Sequence, residues 1–213
     1  MAEFSTYLKV LISIVQEWQT LTAAGVALFG AWLTIRVIRA QIRLQKSQIE
    51  DEKRSRGWAA RAALPDALSA LCEYSESCLS YLMQRDEDHD IPEAPVEAIN
   101  VVKSSIEYVD PDSAKKLFEL VVHYQVHNSR LRGGGFENTQ SIYDAVYLRA
   151  LVDRLFEFAR NEVDTVPDIP IGREAMMTAL RVGIGLGRFL DIQQELQPVI
   201  EMIERRHPEQ QES

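Results

Sequence analysis

The chain has 213 residues, 46% of them hydrophobic and 26% charged, with a net charge of −9 at pH 7. An acidic surface of this kind repels phosphate backbones, which excludes nucleic acid as a partner, and two cysteines are too few for a disulfide scaffold. The charge is also unevenly placed: residues 36–56 carry seven basic and three acidic groups, a net of +4, whereas residues 57–213 carry 15 basic and 27 acidic groups, a net of −12.

The amino-terminal segment, residues 1–18, places Phe4, Leu8, Leu11, Ile12 and Val15 on one helical face. It is too short to span a bilayer and reads as an interfacial segment. A cleavable signal peptide fits less well, because Glu3 stands where a basic cluster is needed and a second apolar run follows at once.

Residues 19–38 read as a transmembrane helix. The stretch Leu21 to Ile38 (LTAAGVALFGAWLTIRVI) has Arg36 as its one charge, and its 18 positions would rise roughly 27 Å, close to the thickness of a hydrocarbon core. Trp18 and Trp32 suit the interfaces, and Arg36 can extend its guanidinium to the headgroups. Only Lys9 precedes the span, while Arg36, Arg39, Arg43, Lys46, Lys53, Arg54 and Arg56 follow it. The positive-inside rule therefore predicts a single pass with the carboxy-terminal bulk in the cytoplasm.

Residues 39–60 continue as a basic stalk helix. Ile35, Ile38, Ile42 and Ile49, with Gln45 in the intervening seam position, give a 3-4-3-4 repeat over two heptads. Ala23, Ala27 and Ala31 recur every four residues within the span, small enough for two backbones to approach. These seven apolar positions form the candidate face of a parallel homodimer; the alternative is an ordinary Ala-rich membrane helix with a stalk too short to hold a coiled coil.

Trp18-Gln19-Thr20-Leu21, the Ala/Gly-rich span, Thr34 and Arg39-Ala40-Gln41-Ile42 resemble the amino-terminal region of small uncharacterised single-pass membrane proteins of bacteria, over residues 16–80. The resemblance implies placement in the bacterial inner membrane, with the amino terminus in the periplasm and a helix continuing from the span into the cytoplasm. It implies no catalytic activity.

Residues 61–206 are long enough for one domain with its own core, and helical periodicity runs through them. Gly57 and Pro65 are expected to end or bend the stalk, and a helix over 65–83 follows, with Cys72 and Cys78 as buried thiols six positions apart that cannot bond to each other within it. The acidic run 86–95 (DEDHDIPEAP) reads as a loop, 96–109 as a helix, and Asp110-Pro111-Asp112-Ser113 as the start of another reaching Leu131. Gly133, Gly134 and Gly135 end it. Asn138 or Thr139 caps a helix to Val163, residues 164–170 form a loop, the last helix runs over 173–206 with a bend near Pro198, and residues 207–213 form a frayed tail. The expectation is an all-α bundle of about five helices.

Three groups invite a chemical reading. Glu119, His123 and His127 stand one turn apart on one face and could ligate a divalent metal, the alternative being a partly exposed helix face that holds no metal. Arg130 and Arg132, ahead of the three glycines, could hold an anion, the alternative being a helix connector. Gly183, Gly185 and Gly187 lack the preceding strand of a dinucleotide fingerprint and read instead as a close helix approach or a bend. No catalytic set and no cofactor site is assigned. The expected partners are the lipid bilayer and another protein, with a membrane-tethered ligand sensor or enzyme at His123 and His127 as the second reading.

Overall fold

The computed structural model describes residues 2–84, 90–133 and 138–208. Among these the chain is helical with no strand: α1 (Ala2–Gln84), α2 (Val96–Ser105), α3 (Pro111–Gly133), α4 (Asn138–Ala159), α5 (Arg173–Ile184), α6 (Leu186–Asp191) and α7 (Gln197–Arg206). Two compact units are present, Met1–Lys53 and Arg54–Ser213. The second therefore begins seven residues before the expected domain start at 61.

The first unit is the early part of α1. One stretch of this helix, near the amino terminus, is long and apolar enough to cross a membrane, and none of it is buried against protein. Thr34 returns its hydroxyl to the Gly30 carbonyl at 2.8 Å, which satisfies the one hydroxyl donor described within the expected span. Arg36 lies over the Trp32 ring at 5.2 Å.

In the second unit α1 does not stop at Gly57 or Pro65. A proline inside a helix costs about 3 kcal/mol, but Leu64, Leu68, Leu71 and Leu79 on the same helix are fully buried, and their burial outweighs that loss. Gly57 has a packing role: a Cβ there would stand 2.8 Å from the Tyr108 carbonyl oxygen, so the missing side chain lets α1 approach the connection between α2 and α3.

Helices α3, α5 and α7 pack on α4, which buries 13 of its 22 residues, while α2 packs on α3 and α6 on α5. Leu148, Leu151, Leu155 and Phe158 of α4 meet the fully buried Leu117 and Leu120 of α3 and Met176 and Leu180 of α5 in one core. Arg149 of α4 ion-pairs with Glu76 of α1 and bonds Asp153 at 2.9 Å. Arg61 of α1 reaches the other end of α4, donating from Nε to the Phe158 carbonyl at 2.6 Å and from its second nitrogen to the Val163 carbonyl, with its guanidinium 4.2 Å from the Phe158 ring centre. A cation at a helix carboxy terminus satisfies free carbonyls and opposes the helix dipole.

Helix ends follow local chemistry. Asp110 caps α3, its Oδ1 accepting from the backbone N–H groups of Asp112 at 3.1 Å and Ser113 at 3.0 Å. Four residues before the expected end at Val163, α4 closes with Asn161 at φ 64°, Glu162 N–H donating to the Glu157 carbonyl and Asn161 N–H to that of Phe158. This is the paired 6→1 and 5→2 bonding of a left-handed cap, with Asn where Gly is commoner.

The expected single helix over 173–206 is three helices. Gly185 at φ 86° breaks α5 from α6, and Pro198 lies in the first turn of α7 and so starts that helix instead of bending it. A Cβ on Gly183 would come within 2.6 Å of Leu79 Cδ1, so the expected close approach is made by this glycine. His207, expected to open the frayed tail, is half-buried and bonded to both Tyr143 and Ile171. Cys72 and Cys78 are buried, free thiols, and burial pushes both up to about 12.

The same substitution should have opposite signs at two glycines. Gly57→Ala places a methyl against a carbonyl and should cost on the order of 1–3 kcal/mol, whereas Gly187→Ala meets no atom within 4 Å and should stabilise by a few tenths. Thermal unfolding of the two variants checks this: equal shifts in Tm would refute the close approach.

Candidate functional site

Between α3 and α4, bounded at one end by Arg206 of α7, lies an open groove of about 730 Å³. Its outer lip is made by Phe118, Val122 and Val126, spaced four apart on α3 and all solvent-exposed, Phe118 at 60%. Leu117, Leu120 and Val121 of the same helix go inward to the core. The helix is thus apolar on two faces, and the second has no covering element among the described residues.

Aromatic rings build the floor. His123 packs on Tyr147 with ring centres 4.6 Å apart, Tyr147 lies 6.2 Å from Tyr143, and Tyr143 lies 6.1 Å from His207. Their polar atoms are engaged below the surface: His123 Nε2–H donates to the Asp144 carbonyl at 3.1 Å, and Tyr147 donates its hydroxyl to Glu119 at 3.3 Å. His207 donates from Nδ1 to the Ile171 carbonyl at 2.8 Å, which leaves its Nε2 to accept the Tyr143 hydroxyl at 2.9 Å. Burial raises the Tyr143 and Tyr147 hydroxyls, Tyr147 to about 12, so both are neutral phenols.

Charge is concentrated at the ends. Asp144, on α4, is 2% exposed and receives Arg130 at 2.6 Å and Gln140 at 2.6 Å. Arg206 donates to the Gln140 carbonyl oxygen at 2.8 Å and lies 4.5 Å from the Tyr143 ring centre. At the opposite end Lys115 stands 3.9 Å from Asp168, whose carboxyl is held below its ordinary range by a hydrogen bond from Lys116 and by the neighbouring lysines.

The structure separates the residues that spacing had grouped. Glu119 and His123 line the groove, but His127 turns inward, 1% exposed, with its ring 6.2 Å from that of Tyr74. The face is therefore exposed only in part. Among the described residues no three His, Cys, Asp or Glu side chains are placed to hold a metal ion. Arg130 is engaged by Asp144, whereas Arg132 is exposed and bonds Asn128 at 3.0 Å, outside the groove. Gly134 and Gly135, and the acidic run from Asp86 to His89, lie outside the described residues.

Sequence reasoning missed Phe118, Val122 and Val126, although their i, i+4, i+8 spacing was visible. It also missed Tyr143, Asp144, Tyr147 and Arg206, which converge only when α4 and α7 fold against α3. No family model, curated protein or solved structure matches the chain.

His127 gives the core behind the groove a pH signature. Its Nε2 is buried without a hydrogen-bond partner, and burial lowers its pKa from 6.5 to about 4, with Asp144 opposing and His123 and Arg130 reinforcing. His123 is shifted the same way by burial. The unfolded chain binds more protons between pH 6.5 and 4, so stability should be full near pH 7 and fall through that window, by roughly 3 kcal/mol for His127. Denaturant unfolding at pH 7 and pH 4.5 measures this; His127→Phe should reduce the difference, and an unchanged difference would exclude His127 as its source.

Proposed function

We propose that this chain is a membrane-anchored interaction module: α1 enters the bilayer near its amino terminus, and the helical unit beyond residue 53 receives a protein partner in the groove between α3 and α4. The observation that carries the proposal is apolar surface left uncovered in two places. In the first unit it is long enough to cross hydrocarbon, and lipid is the solvent that suits it. In the second it is the Phe118, Val122 and Val126 stripe beside an aromatic floor, open along its length.

The geometry favours a helix as the occupant. Two packed helices with an apolar trough between them are the usual receptor for an amphipathic helix, whose anchors recur at i, i+3 or i+4 and i+7. Lys115 at one end and Arg206 at the other favour acidic flanks on that helix, within a unit whose net charge is otherwise strongly negative. The metal and small-ligand reading has less support, because His127 and Arg132 stand outside the groove and Arg130 is engaged by Asp144.

The basic residues after the span orient the chain with its amino terminus in the periplasm of a bacterial inner membrane and its helical unit in the cytoplasm. The chain should stay in the pellet after carbonate extraction, and a carboxy-terminal fluorescent fusion should be bright while a carboxy-terminal phosphatase fusion is inactive. Release by carbonate would refute the anchor, and an active phosphatase would refute the orientation.

The groove has its own test. Phe118→Asp and Val122→Asp alter exposed positions and should change folding stability by less than about 0.5 kcal/mol, yet they should abolish co-purification of any protein recovered with the wild-type chain from detergent-solubilised membranes. Undiminished recovery with both variants would remove the groove from the interaction.

A further inference from the structure

The isoleucine seam of α1 begins inside the apolar stretch, at Ile35 and Ile38, and runs past its end to Ile42 and Ile49, with no protein covering it among the described residues. Residues 23–50 are exposed throughout, and Ile35, Ile38, Ile42 and Ile49 are each about half exposed. Beyond the span Ile42 and Ile49 present apolar surface to water, which burial against a matching strip would stabilise, and Ile35 and Ile38 continue the same seam within the span. We propose that this seam pairs with the same seam of a second copy of the chain, in parallel and in register, so that the protein is a dimer held at its stalk.

The flanking charges select the second copy and its direction. With Ile35, Ile42 and Ile49 at a positions and Ile38 and Gln45 at d, the e positions are Arg39, Lys46 and Lys53, and the g positions are Gln41 and Gln48. An antiparallel pair sets e against e, facing cation with cation at every turn. A parallel pair sets e against g, facing each lysine with a neutral glutamine amide that can accept its hydrogen bond. Gln45 meets Gln45 of the second copy in the seam, where a buried amide pair fixes register at some cost in stability. Glu52 at the next d position and Arg56 at the next a end the apolar seam after Ile49.

The alanine stripe takes a smaller part than its spacing suggested. Ala31 falls at d, in line with the isoleucines, but a four-residue repeat advances about 40° per step on a 3.6-residue helix, so Ala27 and Ala23 rotate away toward g and c. The pairing surface is the isoleucine seam with Ala31 at its upper end. The direction of pairing does not depend on the proposed anchor, which would only raise the local concentration of copies.

Cysteine substitution in the full chain tests this in membranes and in the soluble fraction alike. Cys72 and Cys78 are buried thiols and should contribute little background. Ile35→Cys, Ile42→Cys and Ile49→Cys should each give reducible dimers on mild oxidation, in several-fold excess over Leu44→Cys, which lies on the opposite face of the same helix. Equal crosslinking at Leu44, or none at Ile42, overturns the pairing. Crosslinking of Ile35→Cys only with co-expressed Ile49→Cys overturns the parallel direction. The expected pattern in a chain that carbonate releases would support the seam while refuting the anchor.

Discussion

One buried carboxylate links the core of the second unit to its surface groove. Asp144 sits on α4, the helix on which α3, α5 and α7 pack, and an ionised group buried there must be paired or it costs several kcal/mol. Arg130 and Gln140 supply the pairing, and this draws the last turn of α3 and the first turn of α4 together. The Asp144 backbone carbonyl also takes the His123 N–H, so one residue positions the end of the groove and part of its floor. Arg206 joins through Gln140, which brings the end of α7 to the same place.

That arrangement separates the polar groups from the surface they frame. His123 and Arg130, whose spacing suggested chemistry, bond Asp144 across the helix pair, and what the site leaves exposed is ring faces and the Phe118, Val122 and Val126 lip. A surface of this kind offers shape and apolar area to a partner and little reactive chemistry to a substrate. The same division recurs in the first unit, where the charged residues follow the apolar stretch on one side and a strip of isoleucine remains uncovered beside them. Both uncovered surfaces are helical and elongated, which is why helix-on-helix association is the mode of binding proposed for each.

Much of the fold was legible because its signals are local. The Asp110 cap and the apolar periodicity of α4 depend on residues within one or two turns, and the backbone follows them. The boundaries that differed are those where a distant contact or a single cap residue decided. Pro65 and Gly57 look like helix stops until the core leucines and the Tyr108 carbonyl are placed beside them. Asn161 ends α4 through a left-handed conformation that its neighbours do not announce, and Gly185 breaks the last helix for the same conformational reason. The candidate site was legible only in part: Glu119, His123 and Arg130 were named for chemistry they do not perform together, because spacing along one helix cannot say which side chains a second helix will cover.

The sequence by itself determined an all-helical chain with one apolar stretch near its amino terminus, a basic segment after it and an acidic remainder, since hydropathy, periodicity and charge are properties of consecutive residues. Only the tertiary structure decided that His127 goes inside while Phe118 stays outside, that Arg130 serves Asp144, and that rings from α3 and α4 share one groove with Arg206 of α7 at its end. The physical reason is that burial is a property of the assembled set: a helical face becomes interior or surface according to how many other helices can reach it, and α3 has two apolar faces where the bundle covers one.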